Sequence, residues 1–125
     1  MQYYARVTVP ALTYEEDAVT QRVALSCGTL RKVKVCFPPG PAGLTHIRVW
    51  YRGWQIIPWL VGGWLAWDDA IFEFDVNYAL DVEPHEVVIE AYNEDDVYDH
   101  TIEFWFDVKE PDEVVRLMPP EVFEE

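Results

Sequence analysis

The chain has 125 residues and a formal net charge of −14; half of its residues are hydrophobic and 15% are aromatic. That size predicts one domain burying roughly two thirds of its unfolded surface, and the composition excludes a disordered chain. The acidic balance argues against DNA or RNA as a partner, no apolar run reaches the ~18 residues that cross a bilayer, and MQYYARVTVP lacks the layout of a signal peptide.

The charge is unevenly spread. Residues 1–67 hold seven basic and three acidic side chains, net +4, whereas residues 68–125 hold two basic and twenty acidic ones, net −18. This predicts basic early strands pairing with acidic late strands inside one sheet. The alternative is a two-signed surface that docks head to tail on copies of itself or on a larger assembly.

In chain order, residues 3–9 alternate as a strand with Tyr3, Ala5, Val7 and Val9 on one side, and Pro10 ends it or marks an edge. Glu15, Glu16 and Asp17 suit a solvated loop. A second strand at 19–26 is expected to turn at Gly28, as a hairpin, into a third at 30–37 with Val33, Val35 and Phe37 inward and Lys32 and Lys34 outward. Cys27 and Cys36 then lie apart, and two free buried thiols are expected. Three prolines in 38–41 stiffen the next connection. Residues 45–52 form a strand with Ile47, Val49 and Tyr51 on one face and His46, Arg48, Trp50 and Arg52 on the other. That second face suits a contact surface, or Arg stacked on Trp within one subunit.

Residues 53–67 hold four tryptophans with Pro58 and Gly62-Gly63 as breakers. No helical period fits, so short strands are expected at 55–57 and 65–67 around a broad loop. A strand at 71–76 and a connection at 77–84 follow. Residues 86–108 read as two strands joined by an acidic loop, a hairpin with Val87, Ile89 and Ala91, then Ile102, Phe104, Phe106 and Val108, on its apolar side. Beyond it the chain is rich in proline and acid, with a short helical turn expected at 112–117.

The expected fold class is all-β: a single-domain antiparallel β-sandwich or jelly roll of about eight strands over residues 1–109, with an extended C-terminal arm at 110–125. No catalytic motif is present. Ser26 is the lone serine, His46, His85 and His100 are scattered, and no His-x-x-x-His or Cys-x-x-Cys spacing exists, so neither a catalytic residue, nor a metal, nor a cofactor is assigned. The loop 93–99 offers oxygens to calcium but lacks the spacing of an EF-hand; Asn93, Asp95 and Asp96 better suit turn bonds to backbone.

The binding candidates are aromatic. Trp54, Trp59, Trp64 and Trp67, with Trp50 and Arg52, suit a protein interface, because tryptophan and arginine concentrate in hot spots. Stacking on sugar rings is the alternative, with carboxylates bonding the hydroxyls. Val114, Leu117, Met118 and Phe123 in the arm need a surface to rest on.

The run LRKVKVCFPPGPAGLTHIRVWYRGWQIIP, an acidic turn, and PHEVVIEAYNEDDVYDHTIEFWFDV, together about two thirds of the chain, resembles small β-sandwich proteins of tailed bacteriophages and archaeal viruses. The resemblance implies a non-enzymatic virion component, such as a capsid decoration or turret protein, located in a virion assembled in the host cytoplasm. Its expected partners are other virion proteins and itself, as a homo-oligomer such as a trimer; carbohydrate is the alternative ligand, and neither nucleic acid nor membrane is expected.

Overall fold

The computed structural model describes residues 1–60 and 62–110. The arm contacts expected at Val114, Leu117, Met118 and Phe123, and the helical turn at 112–117, lie outside the described residues.

Among the described residues eight strands form: β1 (Gln2–Val9), β2 (Val19–Ala24), β3 (Gly28–Phe37), β4 (Thr45–Tyr51), β5 (Trp54–Ile57), β6 (Ala70–Leu80), β7 (Glu86–Asn93) and β8 (His100–Lys109). They make two antiparallel sheets, in the orders β1-β8-β3-β6 and β2-β7-β4-β5. The fold is therefore all-β, as the alternating sequence predicts. The pairings nest: β1 with β8, β2 with β7, β3 with β6 and β4 with β5, as though one long hairpin had been folded over. The β3·β8 and β4·β7 pairings knit those ladders into sheets.

Period-two alternation explains which side chains are buried. Val7 and Val9 of β1, Val33 and Val35 of β3, Ile47 and Val49 of β4, Val87 and Ile89 of β7, and Phe104 and Phe106 of β8 belong to one hydrophobic core shared by both sheets. In β3 a bulge between Leu30 and Lys32 resets the alternation, so Leu30 and Val33 both point inward despite their odd spacing. The outward faces carry the expected charge pairing. Lys32 lies opposite Asp75 in register and within 3.8 Å of it, Arg48 Nε meets Glu90 at 2.6 Å, and Arg22 meets Glu86 at 2.7 Å.

Five expectations are corrected. The strands of 86–108 are not a hairpin, because β7 and β8 belong to opposite sheets and the loop 94–99 carries the chain between them. The anchor of that crossing is Asn93, which is fully buried. Its Oδ1 accepts from Thr45 Oγ1 and the Asp95 N–H, and its Nδ2 donates to the Val9 and Tyr98 carbonyls. Nor does Gly28 turn a hairpin, since β2 and β3 also lie in different sheets. Glycine is needed there for close approach: a Cβ at residue 28 would sit 2.3 Å from the Lys109 carbonyl oxygen. The strand expected at 65–67 is a single bridge, Leu65 to Ile47, while β6 runs on to Leu80 through residues read as a connection. Finally, the thiols are free but not buried, Cys27 being exposed and Cys36 partly so.

Candidate functional site

The outer edges of the sheets decide what is left to bind. β6 has eleven residues and, among the described residues, pairs only with β3, whereas β5, the edge of the other sheet, has four. Phe72, Phe74, Val76 and Tyr78 of β6 point toward the core, yet the short β5 leaves them only half covered. This flank is open and apolar.

Three tryptophans line it. Trp59, 88% exposed, shares a groove of about 550 Å3 with Ile56 and Ile57 of β5 and Phe74, Val76 and Tyr78 of β6, and Glu73, Asp75 and Asn77 form its rim. Trp54, 73% exposed, adjoins a hollow of about 360 Å3 shared with Tyr78 and Ala79. Trp67, 58% exposed, stands edge-on to Phe72 with ring centroids 6.1 Å apart. Their β6 neighbours run from residue 72 to residue 79, so the three indoles are spread along the strand over about 20 Å.

Local chemistry explains their display. Arg52 and Gly53 both have positive φ, 51° and 84°, as a two-residue turn between antiparallel strands requires, and the turn delivers Trp54 to the start of β5. Gln55 then organises the loop. Its buried amide nitrogen donates to the carbonyls of Pro58, Leu60 and Gly63, each at 3.0 Å, while its oxygen accepts the Gly62 N–H at 3.1 Å. With the loop backbone satisfied from inside, Trp59 and Leu60 are left outside. Sequence reading passed over Gln55; a lone amide between apolar residues in front of Pro58 was the available signal.

The remaining tryptophan candidates are engaged within the subunit. Arg48 lies between Trp50 and Trp64, its guanidinium carbon 5.1 Å and 4.0 Å from their ring centroids. Glu90 accepts from Arg48 Nε at 2.6 Å and from Trp50 Nε1 at 2.7 Å, and Trp64 Nε1 donates to Glu15 at 3.1 Å. Tyr92 meets Trp64 edge-on and stacks on His46, with centroids at 4.7 Å and 4.4 Å. Burial, with Glu15 and Glu94 nearby, pushes the Tyr92 phenol above its ordinary value against the opposing charge of Arg48. Trp50 and Trp64 are therefore half-buried and held within the subunit, and the Arg–Trp stacking weighed for 45–52 forms inside one subunit. Arg52 donates to the Glu83 carbonyl at 3.3 Å and borders the Trp54 hollow.

The acidic loop 93–99 turns its oxygens on itself. Asp95 Oδ1 accepts from the N–H groups of Val97 and Tyr98, and Asp95 Oδ2 meets His100 Nε2 at 2.8 Å. The bond to His100, followed by these backbone donors, holds the Asp95 carboxyl below its ordinary range. Among the described residues no group of three or more His, Cys, Asp or Glu side chains is gathered as for a metal ion. No helix among them is long and apolar enough to cross a membrane.

No protein-family model, curated protein or solved structure matches the chain.

Proposed function

We propose that this protein is a non-enzymatic structural subunit whose binding surface is the Trp-lined flank between β5 and β6. The observation that carries the reading is the alignment of Trp54, Trp59 and Trp67 along an edge strand whose inward side chains are only half covered. Exposed tryptophans around an uncovered apolar strip are what an interface core looks like before its partner arrives.

The finer architecture we infer is a jelly-roll sandwich. Supporting it are the nested pairings and the orders β1-β8-β3-β6 and β2-β7-β4-β5, the pattern of a long hairpin rolled into two facing sheets. Viral capsid proteins and lectins both use jelly rolls, so the fold narrows the setting without choosing the chemistry. The resemblance over residues 30–108 favours a virion surface, with the subunit acting through protein contacts as a decoration or accessory component.

A second reading has its own support. A row of exposed indoles with Glu73, Asp75 and Asn77 beside it would also stack a linear polysaccharide and bond its hydroxyls. Two measurements on the full chain separate them. Light scattering of wild type and of the Trp54→Ala, Trp59→Ala, Trp67→Ala triple variant should show an assembly that the variant lacks. Titrating tryptophan fluorescence with soluble polysaccharides should leave the emission unchanged. A monomer whose emission shifts saturably with sugar would replace the structural reading with the carbohydrate one.

A further inference from the structure

Among the described residues the flank ends at a free strand edge, and the same sheet has a second free edge at β1. Three antiparallel steps separate the two, β1 to β8, β8 to β3 and β3 to β6, so β1 and β6 run in opposite directions. A second copy displaced sideways across the sheet therefore brings its β1 antiparallel to β6 of the first.

The backbone groups at these edges match in phase. The Met1 amino group donates to the Val108 carbonyl and the Val108 N–H to the Met1 carbonyl, each at 2.9 Å. In an antiparallel ladder such reciprocal pairs alternate with unbonded ones. Counting from Met1, the odd residues of β1 bond to β8, which leaves the N–H and C=O of Gln2, Tyr4, Arg6 and Thr8 directed outward. Carried across the registers of β8 and β3, the same alternation directs Ile71, Glu73 and Asp75 outward from β6.

The side chains match as well. Pairing Arg6 with Glu73 sets Ala5 beside Phe74, Val7 beside Phe72 and Tyr3 beside Val76, all on the core-facing side. A two-residue shift sets Arg6 against Asp75 and keeps every side chain on its face. Arg6 forms no ion pair among the described residues, whereas the Glu73 and Asp75 side chains, 55% and 90% exposed, share the single ammonium of Lys32 at 3.9 Å and 3.8 Å. Symmetric pairing of two β6 strands would gather their carboxylates without any basic residue from either strand. The chain's own residues 110–125, with six carboxylates and one arginine, would meet the same repulsion.

We propose that β1 of a second copy lies antiparallel on β6, in a register that places Arg6 opposite Glu73 or Asp75, and so extends the sheet from subunit to subunit. This deepens the structural-subunit reading, on which it rests, by naming the partner of the flank. Contact between two different edges is heterologous, and the sheet twist turns each copy relative to the last, so the product is an open chain rather than a closed pair. Trp59 lies over the core-facing side of the incoming strand.

The test is light scattering of the full chain across a concentration series. The mean mass of wild type should rise continuously. Arg6→Glu should weaken association by about tenfold, because like charges then face each other across the strands, and adding Glu73→Lys with Asp75→Lys should restore it. Asp75→Pro should block growth while leaving the circular dichroism of the monomer intact, since that N–H is unused among the described residues. A mass that stops at a dimer, or a wild type that remains monomeric, overturns the proposal. Association that persists in Arg6→Glu and Asp75→Pro but fails in the triple tryptophan variant also overturns it, while the flank remains the binding surface.

Discussion

Replacing Asn93 with alanine tests the account of how the chain passes between sheets. The side chain is fully buried and makes four hydrogen bonds, reaching β4 through Thr45, β1 through Val9, and the crossing loop through Asp95 and Tyr98. The Asp95 and Tyr98 partners lie in a loop that water can enter. Thr45 and Val9 are each 0% exposed, so their polar groups would lose a partner that water cannot replace. At 1–3 kcal/mol for each of these two groups, Asn93→Ala should cost about 2–6 kcal/mol. A domain of this length has about 5–15 kcal/mol in total, so the loss is a large share. Urea denaturation followed by far-UV circular dichroism measures it, with Thr45→Val expected to cost about 1 kcal/mol as the control. Asn93→Asp should be worse than alanine at neutral pH, because it turns a carboxylate toward two carbonyl oxygens. A cost below 1 kcal/mol for Asn93→Ala would refute the reasoning and place the anchor of the crossing elsewhere.

Three further outcomes are expected. Arg48→Lys should destabilise by about 1–2 kcal/mol in the same assay, since an ammonium keeps the charge near Glu90 but loses the planar stacking between Trp50 and Trp64. Because its folded-state carboxyl titrates below the ordinary value, Asp95 contributes stability that is present above about pH 4 and lost as the pH falls through the folded value; urea midpoints between pH 7 and pH 3 should fall more steeply for wild type than for Asp95→Asn. Burial, helped by Glu103 and Asp69 and opposed by Lys34, raises the Cys36 thiol, so at pH 8 iodoacetamide should alkylate exposed Cys27 about tenfold faster or more, as peptide mass mapping over a time course would show.

The strands were legible because their pattern is local. Val33, Val35 and Phe37 alternate with Lys32, Lys34 and Cys36 in the letters themselves, and burial follows that alternation. Sheet membership was not legible. A loop of polar residues after Asn93 serves a tight hairpin and a crossing between sheets equally well, and the difference lies in Thr45 and Val9, far away in sequence. The end of β6 escaped notice because Asn77 and Ala79 are weak strand formers that face outward on an edge. Six tryptophans look alike in sequence; Arg48 and Glu90 claim two of them, and Gln55 turns a third outward. The charge pairing was recoverable from composition by halves, since it needs only that early strands lie beside late ones.

The place of β8 has a consequence for how the protein is made. It is the last of the eight described strands to be synthesised, yet it lies inside its sheet, between β1 and β3. On the ribosome β1 has no neighbour to join until residues 100–109 have emerged, and closing so long a loop is entropically slow. The β3·β6 and β4·β5 ladders can form as the chain appears, but β1 must wait for β8. The sheet should therefore close in one late step, once β8 has emerged to pair with both β1 and β3.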